Sequence, residues 1–218
     1  MTKRHLSSAT LLLCLALESC VPWTVRPIGS EEDTAAGPAV VTPAAYVESV
    51  WATKLVPAVL AAAVDARVLL DELTALPEQA FARYGRREAG GATYFIVKGQ
   101  GVVVGVDSAS RSGLALVDVP PCDRRPDLSI QIGPVLRGTA LRDATGLISF
   151  SDFVNQIQFA DVGNELNDRV LKTVLAPLDK AALLGRRVSF TGALIAEHRA
   201  DPPLRELAPV QLIVEENR

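Results

Sequence analysis

The chain has 218 residues, a formal net charge of −3 and a sequence pI near 5.5, a length that suits one domain with its own hydrophobic core. The acidic balance argues against a nucleic-acid partner, because proteins that bind nucleic acids normally present a basic surface. Aromatic residues make up only 5% of the chain, which also disfavours recognition of bases by stacking.

The first residues have the zones of a bacterial secretory signal. A positively charged start precedes an apolar run over residues 11–17, and small Ser19 stands before Cys20. This order is typical of a cleaved signal peptide, and the apolar run is much shorter than the roughly 20 residues that span a bilayer. We therefore predict a lipoprotein signal peptide over residues 1–19.

Cys20 is the predicted site of lipid attachment. Leu17-Glu18-Ser19-Cys20 resembles a bacterial lipobox, although Glu18 stands where a small or β-branched residue is usual. The alternative is that Cys20 is an ordinary residue beside the cleavage site of a soluble secreted protein. A diacylated Cys20 would anchor the protein durably at a membrane, and it would leave Cys122 as the other thiol of the mature chain, without a disulfide partner.

Residues 20–42 are predicted to be a flexible tether, because they are rich in proline and glycine and contain an acidic run. A helical segment is predicted over residues 43–90. Its first helix starts after the capping residue Thr42, and Pro57 should end or kink it. A second helix is expected over residues 58–76, followed by a short third one.

Residues 91–218 are predicted to form the β-rich domain of an α+β protein. The expected strands cover residues 94–106, 114–119, 128–136, 187–195 and 204–214. A helix capped by Ser151 or Asp152 is expected over residues 150–178, between the third and fourth strands. This element order is that of a small five-stranded OB-like β-barrel preceded by N-terminal helices. The competing architecture is an open antiparallel sheet packed on helices.

Two stretches resemble a known bacterial family. They are Leu128-Ser129-Ile130-Gln131-Ile132-Gly133-Pro134-Val135-Leu136-Arg137-Gly138-Thr139-Ala140-Leu141-Arg142-Asp143 and Phe150-Ser151-Asp152-Phe153-Val154-Asn155-Gln156-Ile157-Gln158-Phe159-Ala160-Asp161-Val162-Gly163-Asn164-Glu165-Leu166-Asn167-Asp168-Arg169. The chain is similar, over most of residues 40–215 and at the lipobox, to the predicted periplasmic lipoproteins known as domain of unknown function 2291. The resemblance implies a periplasm-facing or surface lipoprotein, often encoded beside sugar-uptake transporter components of the ribose type. It implies no established activity, so it carries over no functional residues.

Polar side chains near the predicted third strand and the following helix are candidate ligand contacts. The carboxamides are Asn155, Gln156, Asn164 and Asn167, and the charged residues are Arg137, Arg142 and Asp143. Carboxamides hydrogen-bond sugar hydroxyls with paired donors and acceptors, but they also satisfy backbone groups inside a fold. The charged residues could bind an anion or close a turn through an ion pair.

These features predict a non-enzymatic lipoprotein that serves as an accessory or binding module of a carbohydrate uptake system of the ABC type. Its expected partners are the membrane, through the lipid, and transporter components or a small carbohydrate. One alternative is an envelope carbohydrate-active enzyme, which would require two carboxylates flanking a cleft. Another is a structural or assembly factor of the cell envelope. The sequence predicts no catalytic residues, no metal site and no cofactor.

Overall fold

The computed structural model describes residues 41–88, 91–196 and 205–215. The predicted signal peptide, Cys20 and most of the predicted tether lie outside the described residues. The helices are α1 (Pro43–Val50), α2 (Val56–Ala62), α3 (Ala66–Ala75), α4 (Pro77–Tyr84), α5 (Ala140–Asp143) and α6 (Gln156–Val170). The strands are β1 (Val64–Asp65), β2 (Arg86–Arg87), β3 (Thr93–Asp107), β4 (Leu114–Asp118), β5 (Leu128–Gln131), β6 (Arg187–Ala196) and β7 (Arg205–Val214).

The segment over residues 43–88 contains four α-helices and also the short strands β1 and β2, and Pro57 does not end its first helix. The Thr42 hydroxyl caps α1 by accepting a hydrogen bond from the Ala45 amide, at 3.3 Å. A π-helical turn over Trp51–Leu55 then leads directly into α2. Pro57 lacks an amide hydrogen and its ring crowds the carbonyl four residues earlier. The wider π turn, in which the Val56 amide bonds the Trp51 carbonyl, lets the helix pass the proline.

The helix expected over residues 58–76 is interrupted, and the prediction of one continuous helix there is wrong. Ala63 and Asp65 have extended backbones, and β1 pairs with β3 in parallel at this point. The Asp65 carboxylate accepts hydrogen bonds from the Arg67 and Val68 amides, at 2.9 and 3.3 Å. A carboxylate in this position caps a new helix, so α3 begins at Ala66.

Five strands pair in a closed ring, here called the strand ring. Its order is β3, β4, β5, β7 and β6, and β6 pairs back with β3. The β5–β7 pair is parallel and the other four pairs are antiparallel. The long β3 closes the ring because its first part pairs with β6 and its end pairs with β4, with a register shift between Val103 and Gly105. This shift is a bulge, which bends a strand and lets it serve two neighbours.

The third strand of the ring is shorter than predicted. β5 ends at Gln131 because Gly133 adopts a φ of +75° and Pro134 follows it. The expected strand over residues 132–136 is therefore wrong, although the segment is fixed in place. The buried Gln131 amide accepts from the Arg137 N–H at 2.7 Å and donates to the Arg137 carbonyl at 3.1 Å.

The chain between β5 and β6 contains α6, which starts later than predicted. Ser149 and Asp152 form a capping box around a short 3₁₀ turn over Phe150–Asp152. Asn155 caps α6 itself, so the helix begins at Gln156 rather than near residue 150. One hydrophobic core unites helices and strands, including Val59 of α2, Val97 of β3 and Leu166 of α6.

Candidate functional site

Arg142 and Asp143 form a buried ion pair at the end of the short α5 helix. The Arg142 guanidinium contacts both Asp143 carboxylate oxygens, at 2.7 and 3.1 Å, and donates to the Phe159 carbonyl at 3.0 Å. Its carbon Cζ also lies 3.8 Å from the centre of the Phe159 ring, a cation–π geometry. Each nitrogen of the guanidinium therefore donates at least one hydrogen bond, and its contacts with Phe159 tie α5 to α6.

The predicted carboxamides are not gathered in one pocket. Asn155 accepts from the Gln158 amide at 2.9 Å as the helix cap. Asn167 is buried and donates to the Gly138 carbonyl at 3.0 Å. Asn164 is exposed in the middle of α6, and Gln156 is exposed at its first residue. Two of these side chains, those of Asn155 and Asn167, thus satisfy backbone groups.

Arg137 lies apart from the Arg142–Asp143 pair. Its guanidinium donates to the Ser112 hydroxyl at 2.8 Å and lies 3.7 Å from the Glu206 carboxylate. Its backbone is held by Gln131, as described above. Arg137 therefore joins the loop before β4 to the end of β5 and the start of β7.

A cavity of about 690 Å³, here called the end cavity, brings Arg142, Asp143 and Gln156 together. Tyr94 and Thr139 contribute hydroxyls that are 3.4 Å apart. Burial raises the pKa of Tyr94 above that of a free tyrosine, and the nearby Asp143 charge raises it further. Most polar groups of this cavity are already paired with one another, so few remain for a ligand.

A second cavity of about 560 Å³, here called the strand-face cavity, crosses β3, β6 and β7. Lys98 lies opposite Thr191, and Thr191 lies opposite Gln211. Residues directly opposite in neighbouring strands project from the same face of a sheet, so these three side chains form one polar row. Two residues away along the same two strands, Gln100 lies opposite Ser189 and projects from the same face.

Thr191 is the unusual member of this row. Its residue exposure is only 6%, yet its hydroxyl is not among the buried unpaired polar atoms of the described residues. The hydroxyl therefore opens onto the cavity, where it makes no hydrogen bond to the described part of the chain. The side chains of Lys98, Gln100 and Gln211 likewise have no hydrogen bond or ion pair within the described part of the chain. The strand-face cavity therefore offers unpaired donors and acceptors.

Sequence reasoning missed the strand-face cavity. Polar residues that alternate with apolar ones at Lys98 and Gln100, and again at Ser189 and Thr191, were the available signal. Alternation places such residues on one face of their own strand, but it does not show which strand lies beside them.

The start of α3 and the loop after β4 form the sides of the strand-face cavity. Asp65 and Arg67 line one side. The Arg67 guanidinium is held by Asp71, and the Asp65 carboxylate caps α3. Pro120 lines the opposite side. Phe190, between Ser189 and Thr191, points to the other face of β6 and packs in the core at 2% exposure.

Two features of metal-binding and membrane-spanning proteins are missing from the described residues. No group of three or more histidine, cysteine or acidic side chains in this part of the chain is arranged to hold a metal ion. Likewise, none of the helices described is both long enough and apolar enough to cross a membrane.

The strand order and the parallel β5–β7 pair define a protein of the OB-fold class. A solved structure titled as an OB-fold protein from Thermotoga maritima MSB8 superposes with a TM-score of 0.68. The two proteins are 24% identical, and the match covers 79% of this chain and 98% of the other. This likeness establishes the fold alone.

The chain belongs to the family described as predicted periplasmic lipoprotein (DUF2291), whose model matches residues 10–213. The predicted family resemblance is thereby confirmed, as is the predicted location. The protein is a periplasm-facing lipoprotein of the bacterial cell envelope, held at a membrane by its lipid. No curated protein matches the sequence significantly.

Proposed function

We propose that this lipoprotein is a non-enzymatic accessory or binding module of a carbohydrate uptake system, and that its OB-like barrel binds a small sugar in the strand-face cavity. The observation that carries the proposal is Thr191, a buried residue whose unpaired hydroxyl lines that cavity. A ligand hydroxyl would satisfy it. Cys20 is the proposed point of lipid attachment, and residues 20–42 the proposed tether.

The chemistry of the cavity suits a polyol. Gln100 and Gln211 each supply an amide donor and an amide acceptor, and Lys98 supplies a donor. Each sugar hydroxyl both donates and accepts, so mixed groups of this kind match it. The volume of about 560 Å³ falls within the range of small-molecule sites.

The same groups favour binding over glycoside hydrolysis. Hydrolysis ordinarily requires two carboxylates on opposite sides of the scissile bond. Among the described residues that line the strand-face cavity, Asp65 supplies the carboxylate, and its Oδ1 is engaged by the Arg67 and Val68 amides. Within the described part of the chain, the end cavity is lined by two carboxylates, of which Asp143 is paired with Arg142 and Glu88 with Arg86.

The test is a titration with ribose, glucose and galactose, followed by calorimetry or by NMR shifts of β3, β6 and β7. We expect at least one sugar to bind, and Thr191→Val to weaken it roughly three- to tenfold, because one hydrogen bond contributes about 0.5–1.5 kcal/mol. Thr93→Val is the matched control, since Thr93 is a buried β3 threonine that does not line the cavity. Absence of binding by all three sugars, or equal losses in both variants, would contradict the proposal.

The accessory role has a separate test. Affinity purification of the lipidated protein from solubilised membranes should bring down components of a sugar transporter. Purification that never recovers such components would argue against the role in uptake, while leaving sugar binding to be judged by the titration.

A further inference from the structure

The segment before and within the start of α6 carries a cluster of exposed apolar side chains, here called the apolar patch. Its members are Leu147, Phe150, Val154 and Ile157, with residue exposures of 47%, 53%, 77% and 73%. All four lie within eleven consecutive residues. Isolated exposed apolar residues are ordinary, but a group of large ones on one segment marks a contact surface.

The backbone beneath the apolar patch is held by aromatic packing and by a hydrogen bond. The Phe150 and Phe153 rings each lie 5.7 Å from the Phe159 ring. The Val154 amide donates to the Gln158 side chain at 3.2 Å. The exposed side chains are therefore carried by a packed aromatic cluster and by a capped helix end.

Charge is nearly absent from this segment. Between Leu147 and Gln158 the only charged residue is Asp152, and its carboxylate accepts from the Ser149 amide at 3.0 Å. The main cost of moving polar surface into an apolar phase is the desolvation of its charged groups. Because this segment has so few charges, that cost would be small.

The patch also lies beside α1, the first described helix, which follows the predicted tether and Cys20 in the chain. Tyr46, in the first turn of α1, packs edge-on against Phe153 with ring centres 5.0 Å apart. From Cys20 to Thr42 there are 22 residue steps, which at full extension reach at most roughly 75 Å. Attachment at this distance keeps the membrane surface at a high effective concentration around the patch.

We propose that Leu147, Phe150, Val154 and Ile157 form a second membrane contact, which docks the folded domain on the bilayer that holds its lipid. A lipid anchor and a shallow apolar contact reinforce one another, as two weak membrane signals commonly do. The contact is hydrophobic rather than electrostatic, because the segment has no cation and the chain is acidic overall. It therefore requires neither anionic lipid nor low salt. The docking site is independent of the proposed sugar site.

The experiment uses the full lipidated protein in phosphatidylcholine vesicles. Single cysteines at 154, 157 and 184 carry an environment-sensitive fluorophore, in a Cys122→Ser background that removes the exposed native thiol. Leu184 is the matched control because it is 62% exposed and follows the far end of α6, a helix of 15 residues. Brominated lipids quench fluorophores that enter the bilayer. A further variant combines Val154→Asp with the label at 157.

We expect quenching at 154 and 157 to exceed that at 184 at least threefold, and to persist at high salt. Val154→Asp should reduce the quenching at 157 to the level of 184, which excludes insertion driven by the fluorophore alone. Equal quenching at all three positions would overturn the proposal. The fluorophores at 154 and 157 could instead be shielded from water only in native membranes and not in vesicles of pure lipid. That result would also overturn the proposal, and it would assign the patch to a protein partner.

Discussion

Replacing Asp143 by asparagine tests whether the Arg142–Asp143 pair secures the end of α6. The substitution keeps the shape of the side chain and removes its charge. One amide N–H would then face a guanidinium that has only donors. The two side chains are 12% and 8% exposed, so the unpaired guanidinium would find little water.

The structure also sets the expected size of the effect. Removing one partner of a buried ion pair costs about 3–5 kcal/mol. Arg142 keeps its bond to the Phe159 carbonyl and its stacking on that ring, so we expect a loss near the lower end, about 3 kcal/mol. For a folded unit of this size that corresponds to a fall in Tm of roughly 6–12 °C.

The assay is urea unfolding followed by circular dichroism, on protein made from Cys20 onward with Cys20→Ser. Asp71→Asn is the control, because it breaks the exposed Arg67–Asp71 pair and should cost less than about 1 kcal/mol. The double variant Arg142→Met with Asp143→Leu should cost less than Asp143→Asn, since it removes both charges together. If Asp143→Asn costs no more than Asp71→Asn, the pair is not a buried ion pair in solution and the reasoning fails.

Three further predictions concern the anchor, the helix cap and a turn. Cys20→Ser should move the protein from the membrane fraction to the soluble fraction, and retention in the membrane would rule out Cys20 as the main attachment point. Asn155→Ala should lower the free energy of unfolding by about 1 kcal/mol through loss of the α6 cap, whereas exposed Asn164→Ala should change it by less than about 0.5 kcal/mol. Hydrogen bonds from Ser110, and from the Ala109 amide, hold the pKa of Asp107 below its usual range. Its contribution to stability is therefore present above the unfolded pKa and is lost as pH falls through the folded one, and NMR titration of the Asp107 carboxyl should show the lowered midpoint.

The element order of the domain was predictable because it depends on local patterns. Thr42 caps α1 as expected, and the alternation of Leu128 and Ile130 with Ser129 and Gln131 marks β5 as a strand whatever its partners. Errors arose where a local signal had two structural solutions. A proline within a helical pattern usually ends or kinks the helix, but here the π turn before Pro57 accommodates it. Asp65 reads equally well as a polar position of a continuing helix or as the cap of a new one.

The candidate site was likewise predictable from the sequence only in part. Arg142, Asp143 and Gln156 were identified by residue type, and the end cavity contains all three. The network that occupies most of these groups depends on the approach of Phe159, which lies 17 residues from Arg142 in the chain. Residue type alone therefore identified polar groups without showing which of them remain unpaired.

By itself, the sequence predicted an export signal, a lipobox at Cys20 and most of the succession of helices and strands, because each of these predictions depends on neighbouring residues. Only the tertiary structure decided that β3 pairs with both β4 and β6, which closes the strand ring. That closure places Lys98 opposite Thr191, 93 residues further along the chain. Strand register is a long-range property, set by packing of the whole core, and a shift of one residue would turn the entire polar row to the other face.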